Sequence, residues 1–250
     1  AIIFEGYETT PGDSPSIPFS QNLVMSASEM PLINTGSTSG NGFSYNSKSY
    51  IIVKNIQVSG YDQCFVLDNC EYVKLINCYA EEGNDNITSF TNSTGINQSV
   101  IDCYSSNGRG YGFHLAGRGH LIKGCFASSS YAVGMDYSFD ITGSNITDSG
   151  QHIVIDNEIV HFVNDSHHGH GVSVYGRKPN QYNLVENMVM TDIQQCIEAR
   201  RSGTGYSVFR NIEVKSTTFT EQVAVMIGSA HHCIYDNIRM DNGRAAIKFY

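Results

Sequence analysis

Apolar residues in this 250-residue chain alternate with polar ones in short bursts, and the bursts repeat. The segments YIIVKNIQV, YVKLINCYA, QSVIDCYSS, HLIKGCFAS, HIVIDNEIV, NLVENMVM, SVFRNIEV and CIYDNIRM align on one column: Asn55, Asn77, Asp102, Gly124, Asn157, Asn187, Asn211 and Asn237, at intervals of 22, 25, 22, 33, 30, 24 and 26 residues. Two positions earlier the residues are Val53, Leu75, Val100, Ile122, Ile155, Val185, Phe209 and Tyr235. Three positions later, small or apolar residues from Val58 to Met240 recur. Period-two alternation on both sides of one special residue predicts two short strands joined by a one-residue bend, each with one buried face. Asn suits the bend because it tolerates a left-handed backbone and its amide bonds to neighbouring groups. Stacked coils would place the six Asn amides in a buried, hydrogen-bonded ladder.

A second column follows each bend after a loop of variable length: GFSY, CFVL, NITSF, GFHL, GMDY, GVSV, CIEA, AVMI and AIKF. Its expected inward anchors are Phe43, Phe65, Ile87, Phe113, Met135, Val172, Ile197, Val225 and Ile247. Three strands per coil and self-similarity at this period define a solenoid, in which stacking buries a core no coil could bury alone. The expected fold is an all-β, right-handed, single-stranded parallel β-helix of about eight to nine coils with an Asn ladder. Residues 42–250 would form it and continue it past the chain end. Residues 1–41 would form an irregular start or cap, with Leu23-Val24-Met25 and Pro31-Leu32-Ile33 as first strands.

The repeated Asn column and the GFHL and GVSV strands resemble the pectate-lyase-like β-helix superfamily, which includes polysaccharide lyases, epimerases, glycoside hydrolases and phage tailspikes. The resemblance covers residues 42–250. It implies a ligand groove on the outer face of the strand that follows the long loop. No lyase family's catalytic set matches residue by residue, so no catalytic role is carried over.

Outward positions of the second column in the middle coils are His114, Asp136, Ser173 and Glu198, with Tyr175 and Arg200 two residues further on. The longest insertions, Ser138–Gln151 and His161–His170, belong to the same coils, as functional loops often do. Asp136 and Glu198, two coils apart, would have backbones ~9.6 Å apart, a spacing that suits the two carboxyls of an inverting glycosidase. Lyase chemistry would draw on His114, His168, His170 or Tyr175 for proton transfer and on Arg177, Arg200 and Arg201 to hold a carboxylate. The expected catalytic residues are therefore Asp136, Glu198 and His114. The expected substrate-binding residues are Ser173, Tyr175, Arg177, Arg200, Arg201, His168 and His170. His167, His168 and His170 sit in a Gly-bearing loop segment that reads as substrate-contacting rather than as a metal site. No cofactor is read from the residues; a uronate lyase neutralises the carboxylate of its substrate with Ca²⁺ or with Arg.

A net charge of −9 argues against general nucleic-acid binding, and no apolar run is long enough to span a bilayer. Cys78, Cys103 and Cys125 follow the ladder in equivalent slots, spaced for a buried thiol stack rather than disulfides. The functional expectation is a polysaccharide-active β-helix, a glycan lyase or glycoside hydrolase. The alternative is a non-catalytic glycan-binding adhesin or a structural virion or cell-surface β-helix. Either implies a polysaccharide partner and an extracellular, cell-surface or virion setting, with a homotrimer if tailspike-like.

Overall fold

In the computed structural model, residues 1–7, 30–34, 39–81, 88–107, 110–128, 137–142, 149–160, 169–176, 180–215, 223–242 and 245–249 are described. Among them every regular element is a strand, and every named strand pair is parallel. The molecule is a parallel β-solenoid. A 15-stranded sheet has two arms separated by the bend column. The first arm stacks Ile2–Glu5, Ile51–Lys54, Lys74–Ile76, Ser99–Ile101, Leu121–Lys123 and Ile153–Ile155; the second stacks Leu32–Asn34, Gln57–Ser59, Tyr79–Glu81, Tyr104–Ser106, Phe126–Ser128 and Glu158–Val160. Further on, Leu184–Thr191, Val208–Lys215 and Ile234–Asp241 run through both arms as single strands. Parallel stacking thus already involves Ile2–Glu5 and Leu32–Asn34; Leu23–Met25 lies outside the described residues. The third side is a 12-stranded sheet containing Asn41–Asn46, Gln63–Asp68, Thr88–Ile96, Tyr111–Arg118, Tyr137–Thr142, His170–Tyr175, Gln195–Arg200, Val223–Gly228 and Ala245–Phe249.

The bend column is Asn55, Asn77, Asp102, Gly124, Asp156, Asn187, Asn211 and Asn237, all left-handed with φ between 49° and 65°. Two expectations change here. The fifth slot belongs to Asp156, not Asn157, because Ile155 pairs with Glu186 and the next residue therefore faces Asn187. The ladder also points outward: Asn187, Asn211 and Asn237 are exposed. Its amides nevertheless bond coil to coil, Asn77 Nδ2 to Asn55 Oδ1 at 2.8 Å, Asn187 to Asp156 at 2.9 Å, Asn211 to Asn187 at 3.2 Å and Asn237 to Asn211 at 3.0 Å. An outward corner residue turns its successor inward. Cys78, Cys103, Cys125, Asn157, Met188 and Ile212 accordingly line the interior. Asn157, displaced from the ladder, accepts the Cys125 amide on Oδ1 at 2.7 Å and donates to the Ile122 carbonyl.

Five residues before each ladder position lies a second left-handed corner: Tyr50, Tyr72, Asn97, Gly119, Gln151, Tyr182, Tyr206 and His232, φ between 50° and 70°. Their successors include the buried Gln98, His120, His152, Asn183 and Ser207. Each of these side chains satisfies the backbone of the coil before it. Gln98 N donates to His120 Nδ1, His120 N to His152 Nδ1, His152 N to Asn183 Oδ1 and Asn183 N to Ser207 Oγ. The two imidazoles stack at 4.9 Å.

One apolar core runs the length of the solenoid, from Ile51 and Val53 through Phe113 and Phe139 to Val225. All seven cysteines are free thiols, and six are buried. Burial pushes the Cys78 and Cys103 thiols well up from their ordinary value, so they behave as inert apolar groups. A smaller cluster of Met30, Tyr79, Tyr104, Phe126 and Val160 lies apart from that core, with the three rings stacked at 4.9 and 5.0 Å.

The imidazole ladder contributes to the acid response of the fold. Burial pushes His120 down to about 4 and His152 well below its ordinary value. In the window from about 6.5 to 4 the unfolded chain therefore binds protons that the folded one does not, and stability falls as the pH drops. For His120 the shift corresponds to about 3 kcal/mol. Replacing both residues by Asn, which the column already accepts at Asn183, should flatten the response. Urea midpoints at pH 5 and 7.5 should differ less for His120→Asn/His152→Asn than for the wild type; equal differences contradict the assignment.

Candidate active site

The strands that carry the expected groove residues share the smaller sheet. Register pairs His114 with Asp140, Asp140 with Ser173, and Ser173 with Glu198. These four form one row across four strands, beside the inward row Phe113, Phe139, Val172 and Ile197, each 0% exposed. Two expected anchors give way to later residues: Phe90 and Phe139, not Ile87 and Met135, pair with Phe113. Both coils offer two frames of alternation, and the aromatic frame takes the register. Asp136, with Ile87, Met135, Arg177 and His168, lies outside the described residues. The carboxylate in the row is Asp140.

The row faces away from the apolar core, yet little of it reaches solvent. Asp140 is 2% exposed, Ser173 1% and Glu198 0%, which overturns the expectation of an open outer face. The Glu198 strand is not inverted: Ile197 and Ala199 on either side of Glu198 belong to the core. Glu198 itself is buried among polar partners. Ser173 Oγ donates to Glu198 Oε2 at 3.3 Å, His170 Nδ1 lies 3.4 Å from the same oxygen, and Arg200 Nε lies 3.0 Å from Oε1. A fully buried carboxylate persists as a charge only with such compensation.

His170 reaches Glu198 because the strand breaks alternation at its start. Cys64 and Phe65, like Cys196 and Ile197, are consecutive and all fully buried. A residue preceding such an inward pair points outward again, as His170 does ahead of Gly171 and Val172. At Gly171 a Cβ would stand 2.5 Å from the Cys196 carbonyl oxygen and 2.9 Å from Met190 Sδ, so only Gly fits. The repeated small residue before each anchor, as in Gly42-Phe43, Cys64-Phe65, Gly112-Phe113 and Gly171-Val172, is the sequence signal for this bend.

At the other end of the row, His114 Nε2 lies 3.6 Å from Asp140 Oδ2, and the Tyr111 ring stacks on the imidazole at 4.7 Å. His114 keeps 24% of its side chain exposed. Burial nevertheless pushes it down to about 4, against the opposing pull of the Asp68 charge. Asp140 moves the other way, up to about 8: burial dominates, the Glu198 charge adds to it, and the hydrogen bond with Ser173 opposes it. Near neutral pH the pair is thus an uncharged imidazole beside an uncharged carboxylic acid. Titratable pairs poised in this way mark candidate acid–base centres. Tyr175 and Arg200 occupy the next outward row in register, and the Arg200 and Arg201 guanidinium groups sit 5.8 and 5.3 Å from the Tyr175 ring centre. Beyond Glu198 the row continues as Met226 and Lys248, and beyond His114 as Thr91 and Val66, so among the described residues the carboxyl and imidazole groups of the row are confined to the middle coils. Among the described residues no cluster of three or more metal-ligating side chains occurs, and no helix is long and apolar enough to cross a membrane.

The chain is thus a parallel β-solenoid with a largely buried row of ionisable side chains on one sheet. No family model matches the chain, and no curated protein matches it in sequence. Solved structures share its fold. One is the catalytic domain of a GH87 alpha-1,3-glucanase variant in complex with tetrasaccharides, 10% identical with a TM-score of 0.58, the match covering 79% of this chain and 46% of that one. Another is alginate lyase from Paenibacillus sp. str. FPU-7, 12% identical with a TM-score of 0.55, covering 88% of this chain and 85% of that one. The chain spans less than half the length of the glucanase domain. At these identities the likeness is one of fold.

The raised Asp140 carboxyl has a consequence for stability. Between about pH 4 and 8 the folded chain holds a proton that the unfolded chain has lost, so Asp140 makes the fold weaker as pH rises through that window. Below about pH 6.5 the depressed His114 acts in the opposite sense; from 6.5 to 8 Asp140 acts alone within the pair. Asp140→Asn keeps the shape without the charge. Its stability relative to wild type should therefore rise from pH 6.5 to 8, as followed by chemical denaturation, and a flat difference would show that Asp140 ionises normally.

Proposed function

We propose that this chain is a polysaccharide lyase of the pectate-lyase-like superfamily, acting outside the cell or on a virion, and that its glycan lies across the middle strands of the smaller sheet. The reading rests chiefly on the His114–Asp140 pair. Within the row, His114 combines a nitrogen that stays unprotonated at neutral pH with an exposed flank, so it is free to take up a proton from a substrate. Glu198 is held by Ser173, His170 and Arg200 and is poorly placed to activate water. In β-elimination His114 takes the proton beside a uronate carboxylate, the electron pair forms a carbon–carbon double bond, and the glycosidic carbon–oxygen bond breaks. The departing oxygen takes up that proton from His114, directly or through water, and His114 returns to its neutral form. Asp140, uncharged, places no negative charge beneath the anionic sugar. Tyr175 offers an aromatic face to a sugar ring further along the chain, flanked by Arg200 and Arg201.

The hydrolase reading keeps one supporting observation: Asp140 and Glu198 are two strand spacings apart, with backbones ~9.6 Å from each other, and Asp140 is protonated as a general acid must be. The adhesin reading predicts binding without turnover.

A panel of neutral and acidic polysaccharides, followed by absorbance of unsaturated products and by reducing ends, separates the three. A lyase raises both signals and a hydrolase only the second; binding without either favours the adhesin. For the lyase, kcat/KM should plateau between about pH 4 and 8, bounded by His114 below and Asp140 above. His114→Gln should reduce turnover at least ~10²-fold with the fold intact. A variant that turns over normally removes His114 as the base.

A further inference from the structure

The outer face of the first arm, remote from the groove sheet in the fold's topology, carries an order the glycan reading does not use. Val53, Leu75, Val100, Ile122, Val154, Val185 and Phe209 face the core, so their neighbours on either side face out. One outward row reads Ile52, Lys74, Ser99, Leu121, Ile153, Leu184 and Val208 in unbroken register. None of these is buried, and Ile153 is 41% exposed. The other outward row of the same arm adds Ile76, Ile101 and Ile155, so the face as a whole is rich in aliphatic side chains, and large exposed apolar patches mark interaction surfaces.

Along the edge of this face runs the second left-handed corner column, in which two tyrosines lie on each side of Gly119, Tyr50 and Tyr72 before it and Tyr182 and Tyr206 after it, with His232 in the next coil stacked on Tyr206 at 4.8 Å. The four tyrosines are 59%, 43%, 61% and 43% exposed. They stack in pairs, Tyr50 on Tyr72 at 5.1 Å and Tyr182 on Tyr206 at 5.4 Å. Left-handed backbone disfavours an aromatic residue, for which glycine or asparagine is the ordinary choice. Four such residues placed symmetrically about Gly119 call for a reason beyond the turn.

We propose that this face packs against the same face of a second copy of the chain, forming an antiparallel two-fold dimer whose axis passes at the level of Gly119 and Leu121. Inverting the order of coils about that level brings Tyr72 of one copy opposite Tyr182 of the other, Tyr50 opposite Tyr206, and Asn97 opposite Gln151. Lys74, the one cation in the aliphatic row, meets the level of Glu186. A second copy is the fitting occupant because its ridges repeat at the same ~4.8 Å strand spacing and so interdigitate along the whole contact. The cations bordering the row are already matched within their own chain: Lys54 with Glu5 at 3.4 Å, Lys123 with Asp156 at 3.8 Å and Arg210 with Glu186 at 2.8 Å. Face-to-face packing therefore buries ion pairs at its border rather than lone charges. Seven strands at ~4.8 Å and five residues at ~3.3 Å make the face roughly 34 by 17 Å, on the order of 600 Å², the lower end of what each partner supplies to an interface of standard size. Isologous contacts of this kind close as dimers.

Sedimentation of the full chain over a range of concentrations should give a dimer, weakened at least about tenfold by Leu184→Thr/Val208→Thr with circular dichroism unchanged. Geometry is tested separately by oxidative cross-linking, with the wild type as control for its native thiols. Leu121→Cys, on the axis, should link to itself. Tyr182→Cys alone should not link, whereas Tyr72→Cys/Tyr182→Cys should. A monomeric or trimeric wild type overturns the proposal. So does a dimer that withstands the threonine variant, or one in which Tyr182→Cys links to itself and Leu121→Cys does not.

Discussion

The structure depends on a left-handed residue at two fixed points of each coil. An L-residue with φ near +55° reverses the in–out sense of the chain in one step, so the corner side chain points out and its successor points in. Repeated at the same height, those successors become continuous internal columns, one largely of thiols and aliphatics, the other of amides, imidazoles and a hydroxyl. The second column answers an accounting problem. Where the chain turns a corner, some backbone N–H groups lose their partners in the sheet and must find others. Gln98, His120, His152, Asn183 and Ser207 occupy positions where a side-chain acceptor from one coil meets a backbone donor of another.

This constraint also explains what the sequence revealed and where it misled. The solenoid was legible because eight coils carry the same apolar spacing around a residue that tolerates left-handed backbone. The ambiguity at Asp156-Asn157 arose because both residues tolerate that conformation, and only the pairing of Ile155 with Glu186 decides between them. The tyrosine corners stayed hidden because aromatic residues carry no turn signal; their place shows only as a fixed five-residue offset from the ladder.

The candidate site was half visible for a related reason. His114, Ser173 and Glu198 follow unambiguous anchors and fall in one row. Asp140 was missed because GMDY and SFDI both alternate correctly, and a one-frame choice selects a different carboxylate. Burial could not be read at all: alternation tells which way Glu198 points, not what lies over it. That difference shapes the chemistry. In water, a carboxyl and an imidazole side by side would exchange a proton and form an ion pair. Here burial favours the uncharged forms of both, leaving an acid and a base in contact without a net charge between them.

The spacing between successive corner residues carries a different implication. Asn55 and Asn77 are 22 residues apart, whereas Gly124 and Asp156 are 32 apart, yet both intervals return the chain to the same strand register. All the difference in length is absorbed between the strands, so the chain can be lengthened there without moving the sheet. Such a scaffold separates two evolutionary tasks. The stacked strands preserve a rigid floor, while segments inserted between them are free to change length and composition, and a new ligand can be accommodated by rewriting the walls alone.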